Sequence, residues 1–261
     1  MDGAADDLGN RVDVPGRVGR IVSLVPSLTE SVAESGGADL LVGVTDWCTH
    51  PGDVVARMAK VGGTKNPDVA RVVALGPDLV LANEEENRAT DLAALREAGL
   101  AVWVTAPETV PVALDSLERM LAACALPTPD WLRAARAAWA APPEGVRRRG
   151  FVPIWRRPWM ALGRDTFAGD LLSRLGVDNV CAESADRYPR VDLADIRAAE
   201  PELVVLPDEP YRFAADDGPE AFADWHVPVT LVSGRHLTWY GPSLAEARAV
   251  LTRQLVVAVR S

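Results

Sequence analysis

The stretch Val72-Val-Ala-Leu-Gly-Pro-Asp-Leu-Val-Leu-Ala-Asn-Glu-Glu85 is matched 124 residues later by Ile196-Arg-Ala-Ala-Glu-Pro-Glu-Leu-Val-Val-Leu-Pro-Asp-Glu209. In both copies a helical segment ends at a proline followed by an acid, and then a short apolar strand leads to two acids. A second pair of segments, which begin at Gly99 and His226, repeats at an offset of 127 residues. Two copies are too few for a solenoid, so the sequence predicts two related lobes.

Short apolar runs alternate with helical patterns around this repeat, an order that is typical of parallel α/β units. The predicted strands are Arg20–Leu24, Leu41–Thr45, Leu79–Ala82, Ala101–Thr105, Phe151–Trp155, Leu203–Leu206 and Val229–Val232. The predicted helices follow Ser27 as far as Gly36 and cover Pro67–Leu75, Asp91–Ala98, Asp130–Ala140, Thr166–Leu175, Val191–Ala199, Glu220–Trp225 and Ser243–Arg260. Ser27 and Glu30 have the spacing of a capping box.

The alternation of strands and helices predicts an α/β fold with three parts. They are an amino-terminal lobe over residues 1–110, a connecting helical segment over residues 111–148 and a carboxy-terminal lobe over residues 149–261. A chain of 261 residues is long enough for two such lobes, because domains have about 150 residues on average.

The composition excludes several classes of protein. Apolar residues make up 48% of the chain and charged residues 25%, which is close to the average for soluble globular proteins. The 27 Lys and Arg against 37 Asp and Glu give a net charge of −10, which disfavours binding to nucleic acid or to anionic membranes. No apolar run approaches the roughly 18 residues of a membrane-spanning helix, so we expect no membrane insertion.

The amino terminus and the cysteines bear on the compartment. The segment from Met1 to Arg20 begins with acids and lacks the apolar core of a secretory signal. Cys48, Cys124 and Cys181 are odd in number and far apart, which fits a reducing environment. We therefore expect a cytoplasmic protein, whereas removal of a signal peptide from this chain would make it periplasmic or extracellular.

Polar and aromatic side chains follow the predicted strands at their carboxyl ends, where open parallel sheets bind ligands. Tryptophan is unusually common, with 8 residues against 4 phenylalanines. Four of the tryptophans lie in these loops, namely Trp47, Trp155, Trp159 and Trp239. The pattern predicts an aromatic wall for a flat ligand.

Five segments resemble a known family. They are RIVSLVPSLTE (Arg20–Glu30), LVGVTDWCTHP (Leu41–Pro51), VGGTKNPDVARVVALGPDLVLA (Val61–Ala82), GRDTFAGDLLSRLG (Gly163–Gly176) and RYPRVDLADIRAAEPELVVL (Arg187–Leu206). Together they resemble the helical-backbone class of solute-binding proteins, whose members bind cobalamin, haem, siderophores or metal ions. The resemblance implies two Rossmann-like lobes with parallel sheets, a single backbone helix that joins them and a ligand cleft between the lobes.

The resemblance to the cobalamin-binding members of this class also assigns residues to the ligand. Trp47 takes the place of a pocket tyrosine, and Thr64 and Asn83 replace two pocket tryptophans. The arginines among the candidates would bind carboxylate or phosphate groups of the ligand. The predicted ligand-binding residues are Trp47, Thr64, Asn83, Trp155, Arg156, Trp159, Met160, Tyr188, Arg235, His236, Trp239 and Tyr240.

Transporter-coupled members of the class carry a surface glutamate on each lobe, which docks on a membrane permease. The matching positions here are Ala70 and Ala194, which are 124 residues apart like the two copies of the repeat. The resemblance therefore predicts that this chain lacks both docking contacts.

These residues predict non-enzymatic binding of a bulky small molecule by a carrier, scavenger or sensor. A corrinoid, a haem-like molecule or a siderophore is the expected ligand, and we expect no other cofactor. Three alternatives stay open: an ABC-transporter receptor whose signal has been removed, a metal-ion binder and an enzyme that uses the same cleft. The candidate metal ligands are His50, His236, Glu84 and Glu209, and the candidate nucleophile is Cys48 beside His50.

Overall fold

The computed structural model describes residues 4–141 and 146–257, and the chain divides into two units. Unit 1 comprises Met1–Pro107, Val112–Ala134 and Tyr240–Pro242. Unit 2 comprises Glu108–Pro111, Ala135–Trp239 and Ser243–Ser261. Each unit contains a parallel sheet with helices around it, so the predicted α/β fold is confirmed.

Unit 1 begins with an antiparallel pair of short strands, β1 (Ala4–Ala5) and β2 (Arg11–Val12). Its main sheet contains β3 (Ile21–Ser23), β4 (Leu41–Val44), β5 (Ala59–Lys60), β6 (Leu79–Asn83) and β7 (Val102–Thr105), in the order β5-β4-β3-β6-β7. All four strand pairs of this sheet are parallel. The helices around it are α1 (Pro26–Val32), α2 (Gly52–Val55), α3 (Val69–Ala74) and α4 (Ala89–Glu97).

Two helices, α5 (Val110–Ala123) and α6 (Asp130–Trp139), occupy the segment that was predicted to contain a single connecting helix. A boundary between the two units falls within each of them. Pro127 and Pro129 lie between the helices, and proline cannot continue a helix because it lacks the backbone N–H. Residues 142–145, from the predicted turn after α6, lie outside the described part of the chain.

Unit 2 has a four-stranded parallel sheet. As in unit 1, the strands do not lie in the sheet in the order in which they follow along the chain. Its strands are β8 (Arg148–Phe151), β11 (Val177–Asn179), β12 (Leu203–Pro207) and β13 (Val229–Val232), in the order β11-β8-β12-β13. A separate antiparallel hairpin consists of β9 (Pro153–Trp155) and β10 (Met160–Ala161). The helices are α7 (Phe167–Arg174), α8 (Leu193–Ala198), α9 (Gly234–Thr238) and α10 (Leu244–Val256), with a 3-10 turn over Pro219–Phe222.

The repeat that was recognised in the sequence is a repeat of structure. Helices α3 and α8 and strands β6 and β12 are 124 residues apart at both of their ends, and β7 and β13 are 127 residues apart. Asp68 caps α3 by accepting a hydrogen bond from the N–H of Arg71 (2.9 Å), and Asp192 caps α8 by accepting one from Ala194 (2.8 Å). All five residues of β6 and of β12 are buried, as expected for parallel strands that are covered on both faces.

The predicted start of the first helix was wrong. The first helix begins at Pro26 with Val25 as its N-cap and has no side-chain cap, so Ser27 and Glu30 do not form a capping box. Proline is favoured at the first helical position, and the helix starts two residues earlier than a cap at Ser27 predicts.

The predicted strand Phe151–Trp155 is two strands in the structure. Phe151 ends β8 in the parallel sheet, whereas β9 pairs with β10, which contributes Met160 opposite Trp155. The predicted helix Glu220–Trp225 is a 3-10 turn that ends at Phe222. The last helix is described as far as Val256, and residues 258–260 of its predicted extent lie outside the described part.

None of the helices formed by residues 4–141 and 146–257 combines the length and the apolar character that crossing a bilayer requires.

The tight contact at Gly163 yields a test of the fold. A Cβ at this position would lie 2.2 Å from the backbone oxygen of Asp186, and that backbone is held by the hydrogen bond from the N–H of Gly163 to Arg187. We expect Gly163→Ala to lower the free energy of unfolding by about 1–3 kcal/mol, the usual effect of overpacking. Gly52→Ala is the control, because no atom lies within 4 Å of the added methyl group. Urea unfolding followed by circular dichroism measures both, and equal stabilities would contradict the assigned packing.

Candidate functional site

In unit 1, the loops at the carboxyl ends of the strands are tied together by Asn87. Its side chain accepts a hydrogen bond from the N–H of Asn83 (2.9 Å) and donates to the backbone oxygens of Thr64 (2.8 Å) and Leu24 (3.4 Å). These three partners follow or end different strands of the sheet, and Asn87 itself is buried. The amide therefore fixes the backbone at the edge of the sheet where candidate ligand residues were predicted.

Trp47 lies at this same edge and has the most exposed large aromatic side chain among the described residues, with 67% of its surface accessible. The adjacent loop contains Gly63, where an added Cβ would lie 2.5 Å from Asn66 Oδ1 and 3.6 Å from the indole nitrogen of Trp47. Glycine therefore lets the Asn66 side chain close over this loop, which lies beside the indole and leaves most of the ring uncovered.

Three other predicted ligand residues of unit 1 are buried. Asn83 donates to the backbone oxygen of Thr105 (2.8 Å), and its side-chain oxygen accepts from the N–H groups of Glu85 and Glu86. Tyr240 belongs to unit 1 and its hydroxyl is hydrogen-bonded to that of Thr105 (2.9 Å), while burial raises the pKa of the Tyr240 phenol. Thr64 is also buried. These side chains stabilise the loops from inside.

In unit 2, the hairpin formed by β9 and β10 follows the carboxyl end of β8. The segment that contains Tyr188 runs beside β10, because Ala161 donates to the oxygen of Pro189 (3.0 Å) and Gly163 donates to that of Arg187 (2.8 Å). Met160 forms a bridge with Arg190 in the same segment. The predicted residues Trp155, Met160 and Tyr188 therefore belong to one continuous piece of surface.

The aromatic rings of unit 2 form a connected cluster that begins at this hairpin. Trp155, which is 42% exposed, meets Tyr211 edge-on at 5.6 Å between ring centroids. Tyr211 packs on Phe213 at 4.7 Å, and Phe213 stacks on Trp159 at 6.1 Å with the rings nearly parallel. Such pairs contribute about 0.5–1.5 kcal/mol each beyond the burial of their area. The cluster supports the exposed Trp155 with a buried base.

Arg156 lies inside this cluster and is held by two carboxylates. Its guanidinium forms ion pairs with Asp217 and with Glu220, and it lies 5.4 Å from the centroid of the Trp159 ring. Asp217 also accepts a hydrogen bond from the hydroxyl of Tyr211 (2.6 Å). This hydroxyl, followed by Arg156, lowers the pKa of Asp217, and the bond to Asp217 raises the pKa of Tyr211. The network fixes both the arginine and the rings.

Three further candidate ligand residues lie on or directly after the short helix α9, which follows the carboxyl end of β13. The indole N–H of Trp239 donates to Glu209 (2.9 Å), and the guanidinium of Arg235 lies 5.7 Å from the centroid of the Trp239 ring. His236 contacts the hydroxyl of Ser233 (2.8 Å) and the carboxylate of Glu246 (3.1 Å). Glu209 and His236, two of the candidate metal ligands, therefore both have partners within unit 2.

The other two candidate metal ligands, His50 and Glu84, are in unit 1. His50 contacts the hydroxyl of the neighbouring Thr49 through Nδ1 (2.9 Å), and Glu84 is exposed. Within residues 4–141 and 146–257, no group of three or more His, Cys, Asp or Glu side chains is placed to hold a metal ion.

Several residues of the unit 2 cluster were missed or left unassigned by the sequence prediction. They are Phe213, Asp217, Glu220 and Phe222, which provide the base of the aromatic cluster and the partners of Arg156. The alternation of Tyr211, Arg212 and Phe213 is the one local signal, because it suggests that alternate side chains face one side.

Cys48 is buried, and its sulfur lies 3.1 Å from the hydroxyls of both Thr29 and Thr45. Burial raises the pKa of this thiol and of Cys181, and it raises that of Cys124 to about 12. A thiol in this setting is protonated at neutral pH, so the Cys48 and His50 pair does not provide a nucleophilic thiolate.

The raised thiol pKa values predict low cysteine reactivity in the folded chain. At pH 8 we expect none of the three thiols to react rapidly with a disulfide reagent, and all three to react after unfolding. Because the unfolded chain releases these protons first, stability should fall as the pH rises past the ordinary thiol value of 9.0. Colorimetric thiol titration with and without denaturant measures the reactivity, and a fast-reacting Cys48 in the native chain would contradict the prediction.

Known proteins with a similar sequence and fold support the resemblance. No protein-family model matches the chain. The vitamin B12-binding protein of Vibrio parahaemolyticus is 24% identical over 227 residues, which cover 84% of this chain and 80% of the relative. The structure of the periplasmic vitamin B12-binding protein of Vibrio cholerae superposes with a TM-score of 0.75 at 21% identity, covering 92% of this chain and 97% of the other.

A periplasmic haem-binding protein, solved in complex with two haems, superposes with a TM-score of 0.73 at 25% identity. The superposition covers 90% of this chain and 97% of that protein. The resemblance to the helical-backbone solute-binding proteins is thus confirmed: the chain shares their two-lobed α/β fold and is related in sequence to the vitamin B12-binding members.

Proposed function

We propose that this chain is a non-enzymatic binding protein for a bulky, partly flat small molecule. The ligand is bound by loops at the carboxyl ends of the parallel sheets, and its class is corrinoid, haem-like or siderophore-type. One observation carries the proposal: an uncovered tryptophan stands at that edge of the sheet in each unit, Trp47 in unit 1 and Trp155 in unit 2.

The two exposed indoles leave apolar surface in contact with water. An indole is a large apolar surface, and burying it against a flat ligand removes that surface from water. The loops that carry the two rings are themselves held in place, in unit 1 by the hydrogen bond from the N–H of Asp46 to the backbone oxygen of Gly62 (2.9 Å) and in unit 2 by the Arg156 network. Rigid aromatic side chains on fixed loops bind with a small loss of conformational entropy.

The names of the similar proteins support this class of ligand. They bind vitamin B12 or haem, both of which are large molecules with a flat ring system. The resemblance aligns Thr64 and Asn83 with aromatic residues of the relatives. Both side chains are buried here, so they offer no aromatic surface to a ligand. Trp155, Trp159 and Trp239 supply aromatic surface from unit 2 in their place.

The role of carrier, scavenger or sensor rests on the two alanines at the expected docking positions. Ala70 and Ala194 are exposed and are the second residues of α3 and α8, which correspond in the repeat. An alanine there cannot form an ion pair with a permease. The second candidate function is that of a transporter receptor, which the periplasmic location stated for the similar structures favours. The cytoplasmic location stays a prediction.

Direct titration tests the proposed function. We expect hydroxocobalamin or haemin to bind the wild-type chain with one-to-one stoichiometry, as measured by calorimetry. Trp47→Ala and Trp155→Ala should each weaken this binding about tenfold, or about 1.4 kcal/mol, because each removes an exposed aromatic face. Trp131→Phe is the control, because the Trp131 indole donates to Ser35 within unit 1 and should leave the affinity unchanged. Full affinity in both alanine variants would refute the role of these rings.

A second test addresses the docking surface. Glutamates introduced as Ala70→Glu and Ala194→Glu lie on exposed helix positions and should leave ligand affinity and melting temperature unchanged. The matched control is Val73→Glu, which charges another exposed position of α3. Calorimetric titration of the double variant measures the affinity, and a clear change in it would mean that these positions belong to the ligand surface.

A further inference from the structure

Each main sheet has two outer strands, which are β5 and β7 in unit 1 and β11 and β13 in unit 2. An outer strand offers its unpaired backbone N–H and C=O groups to a strand of another chain, so proteins keep such strands short, charged or covered. β5 has only two residues, and β11 has three, of which Asp178 forms an ion pair with Arg147. Neither protection applies to β13, which has four residues and no charged residue between Val227 and Gly234.

In unit 1, the chain covers the counterpart of β13 with its own amino-terminal segment. The N–H of Asp7 donates to the backbone oxygen of Val104 in β7 (3.0 Å). The neighbouring Asp6 forms an ion pair with Arg96 at the end of α4 (3.8 Å). Val104 itself is fully buried. The outer edge of β7 is thus closed by a segment that bonds directly to its backbone.

In the described part of unit 2, the positions that correspond to this covered edge lie open. The offset of 127 residues between β7 and β13 matches Val104 with Leu231 and Arg96 with Ala223. Leu231 is half-buried and Ala223 is exposed, and a surface cavity of about 320 Å³ lined by Phe222 and Ala223 lies at the start of β13. Unit 2 is therefore uncovered at the place where unit 1 carries its amino-terminal segment.

The pairing of β13 with β12 determines which of its backbone groups point outward. The N–H of Asp208, which directly follows β12, donates to the backbone oxygen of Val232 (3.2 Å). Because alternate residues of a strand bond to the same side, Val229 and Leu231 direct their N–H and C=O groups away from the sheet. Within residues 4–141 and 146–257, no hydrogen bond from outside the sheet reaches the backbone of these two residues.

The outer edge of β13 is complementary to itself. In an antiparallel pair, opposite residues whose backbone groups point at each other exchange both of their hydrogen bonds. A twofold axis at Thr230 sets Val229 opposite Leu231 of the partner subunit, and Leu231 opposite the partner's Val229. Both pairs then belong to the hydrogen-bonded kind, and the side chains that meet are uncharged. Such an interface uses the same patch on both copies, as twofold dimers do.

We propose that two copies of this chain associate through the outer edge of β13, in an antiparallel and twofold-symmetric pairing of the two strands. A second copy thus covers in unit 2 the edge that unit 1 closes with its own amino-terminal segment. The contact runs along the side of the sheet and not across the loops at its carboxyl end. The inference therefore does not depend on the proposed function.

Sedimentation equilibrium of the wild-type chain tests the association. We expect the average mass to rise from that of one chain toward twice that value between about 1 and 300 μM protein, because a contact limited to one strand edge is small and weak. Each copy has a net charge of −10, so added salt screens their repulsion and should strengthen the association. A chain that stays monomeric over this range overturns the proposal, whether the edge then remains open or binds a strand of a different protein.

A proline at position 231 tests the role of the edge. Leu231→Pro removes an outward N–H without removing a hydrogen bond from the sheet, and it should weaken the association about tenfold or more. Leu231→Val is the matched control, because it keeps the amide and should associate like the wild-type chain. Dimers of unchanged strength in Leu231→Pro overturn the pairing. Its affinity for hydroxocobalamin should equal that of the wild-type chain, and dimers that bind no hydroxocobalamin would count against the proposed function alone.

Hydrogen exchange of the wild-type chain gives a second readout, which does not depend on the folding of a variant. The amides of Val229 and Leu231 should exchange rapidly at low protein concentration and become protected at high concentration, because only the dimer gives them an acceptor. Concentration-dependent protection that appears elsewhere in the chain and not at these two amides overturns the assignment of the interface to β13.

Discussion

The structure depends on the burial of two corresponding strands, β6 and β12, on both of their faces. A strand that is buried on both sides satisfies its backbone groups only through neighbouring strands, and here every neighbour in the main sheets runs parallel to it. Parallel strands must be joined by crossover connections that run outside the sheet, and helices form these connections between successive strands. It also brings the carboxyl ends of all the strands to one edge, where polar and aromatic residues collect.

Much of the fold could be predicted from the sequence because the residue types in the repeat have strong preferences for helix caps, turns or strands. The helix caps at Asp68 and Asp192 and the apolar strands after Pro77 and Pro201 lie 124 residues apart in both sequence and structure. The start of the first helix and the division of Phe151–Trp155 into two strands were missed. The start of the helix depends on Pro26. The division of the strand depends on the pairing of β9 with β10, which no local sequence pattern indicates.

The candidate site was predictable only at the level of loops. Placing Trp47 and Trp155 at the carboxyl ends of strands follows from the alternation of elements, and both side chains are exposed. The sequence does not show that Arg156 is held within unit 2, because its partners Asp217 and Glu220 lie about 60 residues further along the chain. Burial of Asn83, Thr64 and Tyr240 likewise follows from tertiary packing. The assignment of the twelve residues to a ligand stays a prediction.

The segment Tyr240–Pro242 belongs to unit 1, although the helices before and after it belong to unit 2. Its phenol is buried and hydrogen-bonded to Thr105, and a Cβ at Gly241 would lie 3.0 Å from Ser31 Oγ. A gene fragment that ended after α6 would therefore encode an incomplete domain, with a gap where the ring of Tyr240 belongs. The two units share one plan of strands and helices, yet unit 1 is completed by three residues that the ribosome adds only after Ala135–Trp239 of unit 2.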